Sequence, residues 1–106
     1  HANKRRYVMA RESIFEKHLK KELKQRYPGC IIIKLPSGLV QGIPDRLILF
    51  NDRWATLEVK RSATAPHRPN QDYYVERNNK MAFSRFIFPE NKDEVLNDLD
   101  DYFLRR

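Results

Sequence analysis

The sequence predicts an α/β fold, a mixed central sheet flanked by helices in the order α-β-β-β-α-β-α. Three observations lead there. Apolar residues switch along the chain between a helical period and short strand-like runs. Two of those runs are separated only by Asn51-Asp52, the length of a tight hairpin turn. The chain has 106 residues, 41% hydrophobic and 33% charged, which suits one small folded domain and excludes a disordered segment.

The elements follow in order. Residues 11–26 have Ile14, Phe15, His18, Leu19 and Leu23 at helical spacing, and Pro28-Gly29 ends the helix. Residues 30–35 are short and β-branched, which predicts a buried strand. Pro36-Ser37-Gly38 turns the chain into a loop that runs to Gly42. Strands are expected over 45–50 and 53–60, then a loop over 61–69, where the apolar period fails and Pro66 and Pro69 occur. A helix over 70–81 carries Tyr74, Val75 and Asn78 on one side. A strand over 84–88 closes at Pro89. A last helix over 92–104 turns Val95, Leu96, Leu99 and Phe103 inward and Asp93, Glu94, Asp98, Asp100 and Asp101 outward. Residues 1–10 read as a basic N-terminal arm or an expression remnant, and 11–106 as one domain.

Charge narrows the function. The net charge is +7, and its distribution is uneven. Residues 1–40 hold ten Lys and Arg against three Asp and Glu, whereas 41–106 hold eleven of each. A basic excess confined to one stretch points to a polyanionic partner met by one face, with the acidic last helix turned away from it. Cys30 is alone, which excludes an intrachain disulfide and a cysteine zinc site and fits a reducing compartment. No apolar run has the roughly 18 residues of a membrane span, and the start shows no signal-peptide pattern. Gly29, Gly38 and Gly42 cannot build a phosphate-cradling glycine loop.

The hairpin geometry concentrates the chemistry. If Asn51-Asp52 is a two-residue turn, Phe50 faces Arg53, and counting back in step places Asp45 opposite Glu58. Directly opposed side chains share a sheet face with Cβ atoms about 4.5–5.5 Å apart. Lys60, two residues beyond Glu58, joins that face. Two carboxylates this close repel unless a proton or cation lies between them. A hard divalent ion beside an ammonium would suit phosphodiester hydrolysis; an ordinary ion cluster at a strand end is the alternative on spacing alone.

Gly42-Ile43-Pro44-Asp45, followed after twelve residues by Glu58-Val59-Lys60, resembles the signature of the PD-(D/E)XK nuclease superfamily. With Gln71 opening the next helix, the chain looks most like a stand-alone, phage-type VRR-NUC (virus-type replication-repair nuclease) domain, and it is similar to Holliday-junction resolvases. The resemblance covers roughly residues 11–90 and implies a restriction-endonuclease-like fold. It implies Asp45, Glu58, the Val59 carbonyl and a first-helix acid as ligands of Mg²⁺ or Mn²⁺. That acid is Glu12, which precedes Leu19 by seven residues, with Glu16 as competitor. It implies Lys60 as the catalytic lysine and Gln71 as a further catalytic-site residue.

Candidate nucleic-acid contacts are Lys17, Lys20 and Lys21 on the first helix, Ser37 and Gln41 before the Asp strand, and Arg61, Ser62, His67 and Arg68 after Lys60. Trp54, Phe83, Phe86 and Phe88 are expected in the core. The resulting expectation is a divalent-metal-dependent DNA endonuclease, selective for structures such as junctions, flaps or nicks rather than for sequence. It would act as a homodimer, off the membrane, in the cytoplasm of a bacterial or phage-infected cell. A non-catalytic basic nucleic-acid-binding module is the alternative.

Overall fold

The computed structural model describes the backbone of residues 2–105 and the side chains of residues 13–105. The elements are α1 (Ala2–Arg26), β1 (Ile31–Lys34), β2 (Arg46–Phe50), β3 (Arg53–Val59), α2 (Gln71–Met81), β4 (Phe83–Ile87) and α3 (Lys92–Phe103). The order is the expected one. One four-stranded sheet runs β1-β2-β3-β4, with β1–β2 and β2–β3 antiparallel and β3–β4 parallel. The loop over 35–45 and the Asn51-Asp52 turn join antiparallel neighbours, and the α2 crossover returns the chain parallel.

α1 and α3 cover one sheet face. Leu19 and Leu23 of α1, with Tyr27 just beyond it, meet Ile48, Ala55, Leu57, Val59, Phe83 and Ile87 of the sheet and the apolar face of α3. Burying each large aliphatic side chain stabilises the fold by about 1.5–3 kcal/mol. Tyr27, Phe50 and Phe103 form a ring cluster with centroids 5.0–5.5 Å apart. The other face carries α2 and is more polar. There Thr56 Oγ1 lies 2.8 Å from Ser84 Oγ and accepts a bond from Asn78 Nδ2 at 3.1 Å. Among the described residues, no helix is long and apolar enough to cross a membrane.

Four expectations need correction. α1 starts at Ala2 rather than at residue 11, because Ala2–Ala10 is free of proline and glycine and rich in good helix formers. Ile14 and His18 do not face the core: both are exposed, since the packed stripe narrows to Phe15, Leu19 and Leu23. β1 is an edge strand rather than a buried one, with Ile31 and Ile33 56% and 38% exposed. Those two side chains point to the α2 side of the sheet, and α2 packs on β3 and β4, short of β1. Asp100 is not an outward acid. It accepts bonds from Arg26 Nη1 at 2.7 Å and from the Tyr27 hydroxyl at 2.5 Å, tying α3 to α1.

Candidate functional site

The site is built on the β2–β3 hairpin. Asn51 takes φ 55, the left-handed conformation that a two-residue turn demands. The ladder then runs from Phe50↔Arg53 to Arg46↔Leu57, leaving Asp45 and Glu58 next in line at its end, close enough for the Asp45 charge to act on Glu58. Asp45 is fixed from both sides. Its carbonyl accepts the Leu35 N–H at 2.8 Å, and its Oδ1 accepts the Val59 N–H at 3.1 Å. The loop before it fits closely over the start of α2. Gly42 has φ +89, and a Cβ there would lie 2.6 Å from Asn70 and 2.8 Å from the Pro69 carbonyl. Only glycine allows this approach, which holds the loop leading to Asp45 against the residues just before α2.

Glu58 is 6% exposed. Burial first, and the Asp45 charge second, push its carboxyl up to about 7, against the pull of Lys60 and Arg46. Among the described residues, no ion pair neutralises it. Lys60 is almost as buried, at 9%. Its ammonium donates to Gln71 Oε1 at 2.7 Å and to the Pro66 carbonyl at 3.0 Å, so two of its three N–H donors are engaged. Gln71 Oε1 also accepts the Arg68 N–H at 2.8 Å. Gln71 thus holds Lys60 and the 61–70 loop together.

Arg46, absent from the sequence-based candidates, binds the hairpin to α1. Its guanidinium reaches Asp45 Oδ2 at 3.0 Å and Glu16 Oε2 at 2.8 Å. Glu16 is therefore the described α1 acid that approaches the pair, through Arg46. Glu12 lies outside the residues whose side chains are described.

The remaining candidates separate. Lys17 and Lys20 line a cavity with Lys34 and Arg46 next to the hairpin, whereas Lys21 lies beside a different, shallow depression with His18, Glu22 and Arg26. Ser37 and Gln41 are exposed on the loop leading to Asp45, and Arg61 and Arg68 are exposed on the loop after Lys60. Ser62 is half-buried, with its hydroxyl 3.3 Å from that of Thr64. His67 is better ordered. Its Nδ1 lies 2.7 Å from Asp72 Oδ1, and its ring stacks on Phe86, centroids 3.9 Å apart. Phe86 is the β4 neighbour of Glu58 and is half-buried rather than core. Sequence reasoning missed Arg46, Lys34, Asp72 and the role of Gly42. Lys34 and Arg46 are directly opposed on β1 and β2, a pairing that no spacing in the sequence fixes across the loop over 35–45.

The donors suit a hard cation: two adjacent carboxylates, one of them buried without an ion-pair partner, and a nearby main-chain carbonyl. Among the described residues, no three His, Cys, Asp or Glu side chains converge, so any ion here would keep several water ligands. No protein-family model matches the chain, and neither does any curated protein or solved structure.

Proposed function

We propose that the chain is a divalent-metal-dependent endonuclease of the PD-(D/E)XK type, hydrolysing phosphodiester bonds in DNA. The observation that carries this reading is the hairpin register, which sets Asp45 against Glu58 and puts Lys60 on the face of Glu58. Mg²⁺ or Mn²⁺ held by Asp45, Glu58 and the Val59 carbonyl would supply positive charge to a phosphate oxygen and acidify a water. Lys60, fixed by Gln71 and Pro66, keeps one N–H to orient the attacking water and to offset charge developing on the phosphate. The water oxygen forms the new bond to phosphorus as its proton passes to bulk water, the P–O bond to the leaving sugar oxygen breaks, and that oxygen takes up a proton from bulk water. The basic stretch of α1 holds the backbone by charge, in keeping with choice of DNA by structure rather than by sequence. In this reading the chain is a VRR-NUC-like enzyme, similar to Holliday-junction resolvases, working on DNA in a bacterial or phage-infected cell. Cutting both strands symmetrically would take a two-fold dimer.

One observation favours the second reading, a non-catalytic nucleic-acid-binding module: the Arg46 guanidinium already lies against Asp45 Oδ2. The test incubates branched and supercoiled DNA with Mg²⁺ or Mn²⁺ and compares wild type with Asp45→Asn and Lys60→Ala. Cutting by wild type and loss of at least about a hundredfold in both variants is expected. No cutting with either metal, or cutting that persists in both variants, overturns the nuclease reading. DNA binding retained without cutting then selects the binding module.

A further inference from the structure

Between α1 and the β1–β2 side of the sheet lies a cavity of about 270 Å³. Among the described residues its rim carries Lys17, Lys20, Lys34 and Arg46, against one acid, Glu16. At its floor is half-buried Ile32, flanked by the little that the core residues Leu19, Leu23 and Val59 leave exposed. Lys34 and Arg46 are directly opposed across β1–β2, a placement that costs stability for like charges. Arg46 is offset by Glu16 and Asp45, but no ion pair of Lys17, Lys20 or Lys34 is found among the described residues. Four cations ringing an apolar floor are unfavourable alone and favourable around a ligand with an anionic end and a flat apolar body.

We infer that this cleft binds one unpaired nucleotide of a nucleic-acid strand, its base on the apolar floor and its phosphate among Lys17, Lys20 and Lys34. A paired base is stacked in its helix and cannot enter a recess between a helix and a sheet. A base in a single strand, a flap or a frayed end can. The volume is slightly below the roughly 300 Å³ lower end of small-molecule pockets, which suits a single nucleotide. The cleft opens on the α1 face of the sheet and Glu58 and Lys60 lie on the α2 face; the bond from Arg46 to Asp45 is the contact that joins the two. The inference deepens the nuclease reading and rests on it for the place of the cut; the binding itself needs no catalysis.

The experiment measures binding by fluorescence anisotropy in EDTA, where nothing is cut. The probes are a 3′-labelled single-stranded 12-mer, the blunt duplex of the same sequence, and adenosine 5′-monophosphate as competitor. Wild type is expected to prefer the single strand. Lys20→Ala/Lys34→Ala should weaken single-strand binding at least about tenfold and flatten its salt dependence by about two phosphate contacts. Duplex binding should change less than about threefold. Lys21→Ala/Lys24→Ala, on the same helix outside the cleft, should weaken single strand and duplex alike, keeping their ratio as in wild type, and so control for helix charge. Equal weakening of single strand and duplex by Lys20→Ala/Lys34→Ala, or equal effects of the two double variants, overturns the inference. Competition by the free mononucleotide at concentrations as low as those of the strand overturns the strand as ligand. The cutting assay with Asp45→Asn reports on the nuclease reading separately: binding preserved with no cutting in wild type leaves the cleft standing and removes the nuclease.

Discussion

Replacing Glu58 by glutamine should stabilise the metal-free protein at alkaline pH. The Glu58 carboxyl rises from an ordinary 4.5 to about 7 in the folded chain, through burial and then through Asp45. Between those values the folded state holds a proton that the unfolded state has released. Stability therefore falls as pH rises through the window and is lowest above 7. The rise from 4.5 to about 7 is worth about 3 kcal/mol, at about 1.36 kcal/mol per pH unit. The neutral amide of Glu58→Gln mimics the protonated form and removes that loss. The assay is urea unfolding followed by circular dichroism at several pH values from about 4.5 to about 8.5 in EDTA, a range that brackets the window. At the acidic end wild type and Glu58→Gln should nearly coincide. At the alkaline end the variant should be more stable by about 3 kcal/mol, equivalent to roughly 12 °C in Tm for a domain of this size. Comparing the two proteins cancels the titration of every other group. Asp45→Asn should recover a smaller share, since burial is the larger cause. If wild type and Glu58→Gln move in parallel across this range, Glu58 is not the buried, repelled carboxylate described above.

Three further outcomes are expected. Arg46→Met leaves Glu16 and Asp45 without their shared cation and should cost about 1–3 kcal/mol in urea unfolding, while the pH window of Glu58 moves further upward, because Arg46 pulls its pKa down. Gly42→Ala places a Cβ 2.6 Å from Asn70 in a left-handed backbone, so thermal unfolding should show a loss of at least about 2 kcal/mol; an unchanged Tm would mean that the loop does not rest on α2. Thr56→Val strips the acceptor from Asn78 and the partner from Ser84, at a cost of about 1–3 kcal/mol in the same measurement, and Thr56→Ser should restore most of it.

The hairpin was legible because its information is local. Two residues between two apolar runs allow one turn and one register, and the register alone brings Asp45 to Glu58. Lys60 follows from strand parity. What could not be read depends on contacts between distant segments. The reach of Arg46 to Glu16 is decided by how α1 lies across the end of β2. β1 reads as buried because Cys30–Ile33 is apolar throughout, yet its exposure depends on where α2 stops over the sheet. Gly42 looks like an ordinary loop glycine until Asn70 is placed against it. His67 could be assigned to a loop, but its stack on Phe86 and its bond to Asp72 join three separate elements.

The open edge at β1 has a consequence for handling the protein. Ile31 and Ile33 are exposed on a strand whose outer backbone groups have no sheet neighbour among the described residues, the arrangement that invites pairing with a strand from another molecule. Its brevity, four residues, limits how many bonds a stray strand can gain, and Lys34 and Pro36 close its far end with a charge and a missing donor. Lys34 thus acts as a gatekeeper against aggregation while it also lines the cleft. Exchanging it for a large apolar residue would lower solubility before any effect on binding could be read, so charge-removing variants at this position are best made to alanine and checked for monodispersity at the working concentration.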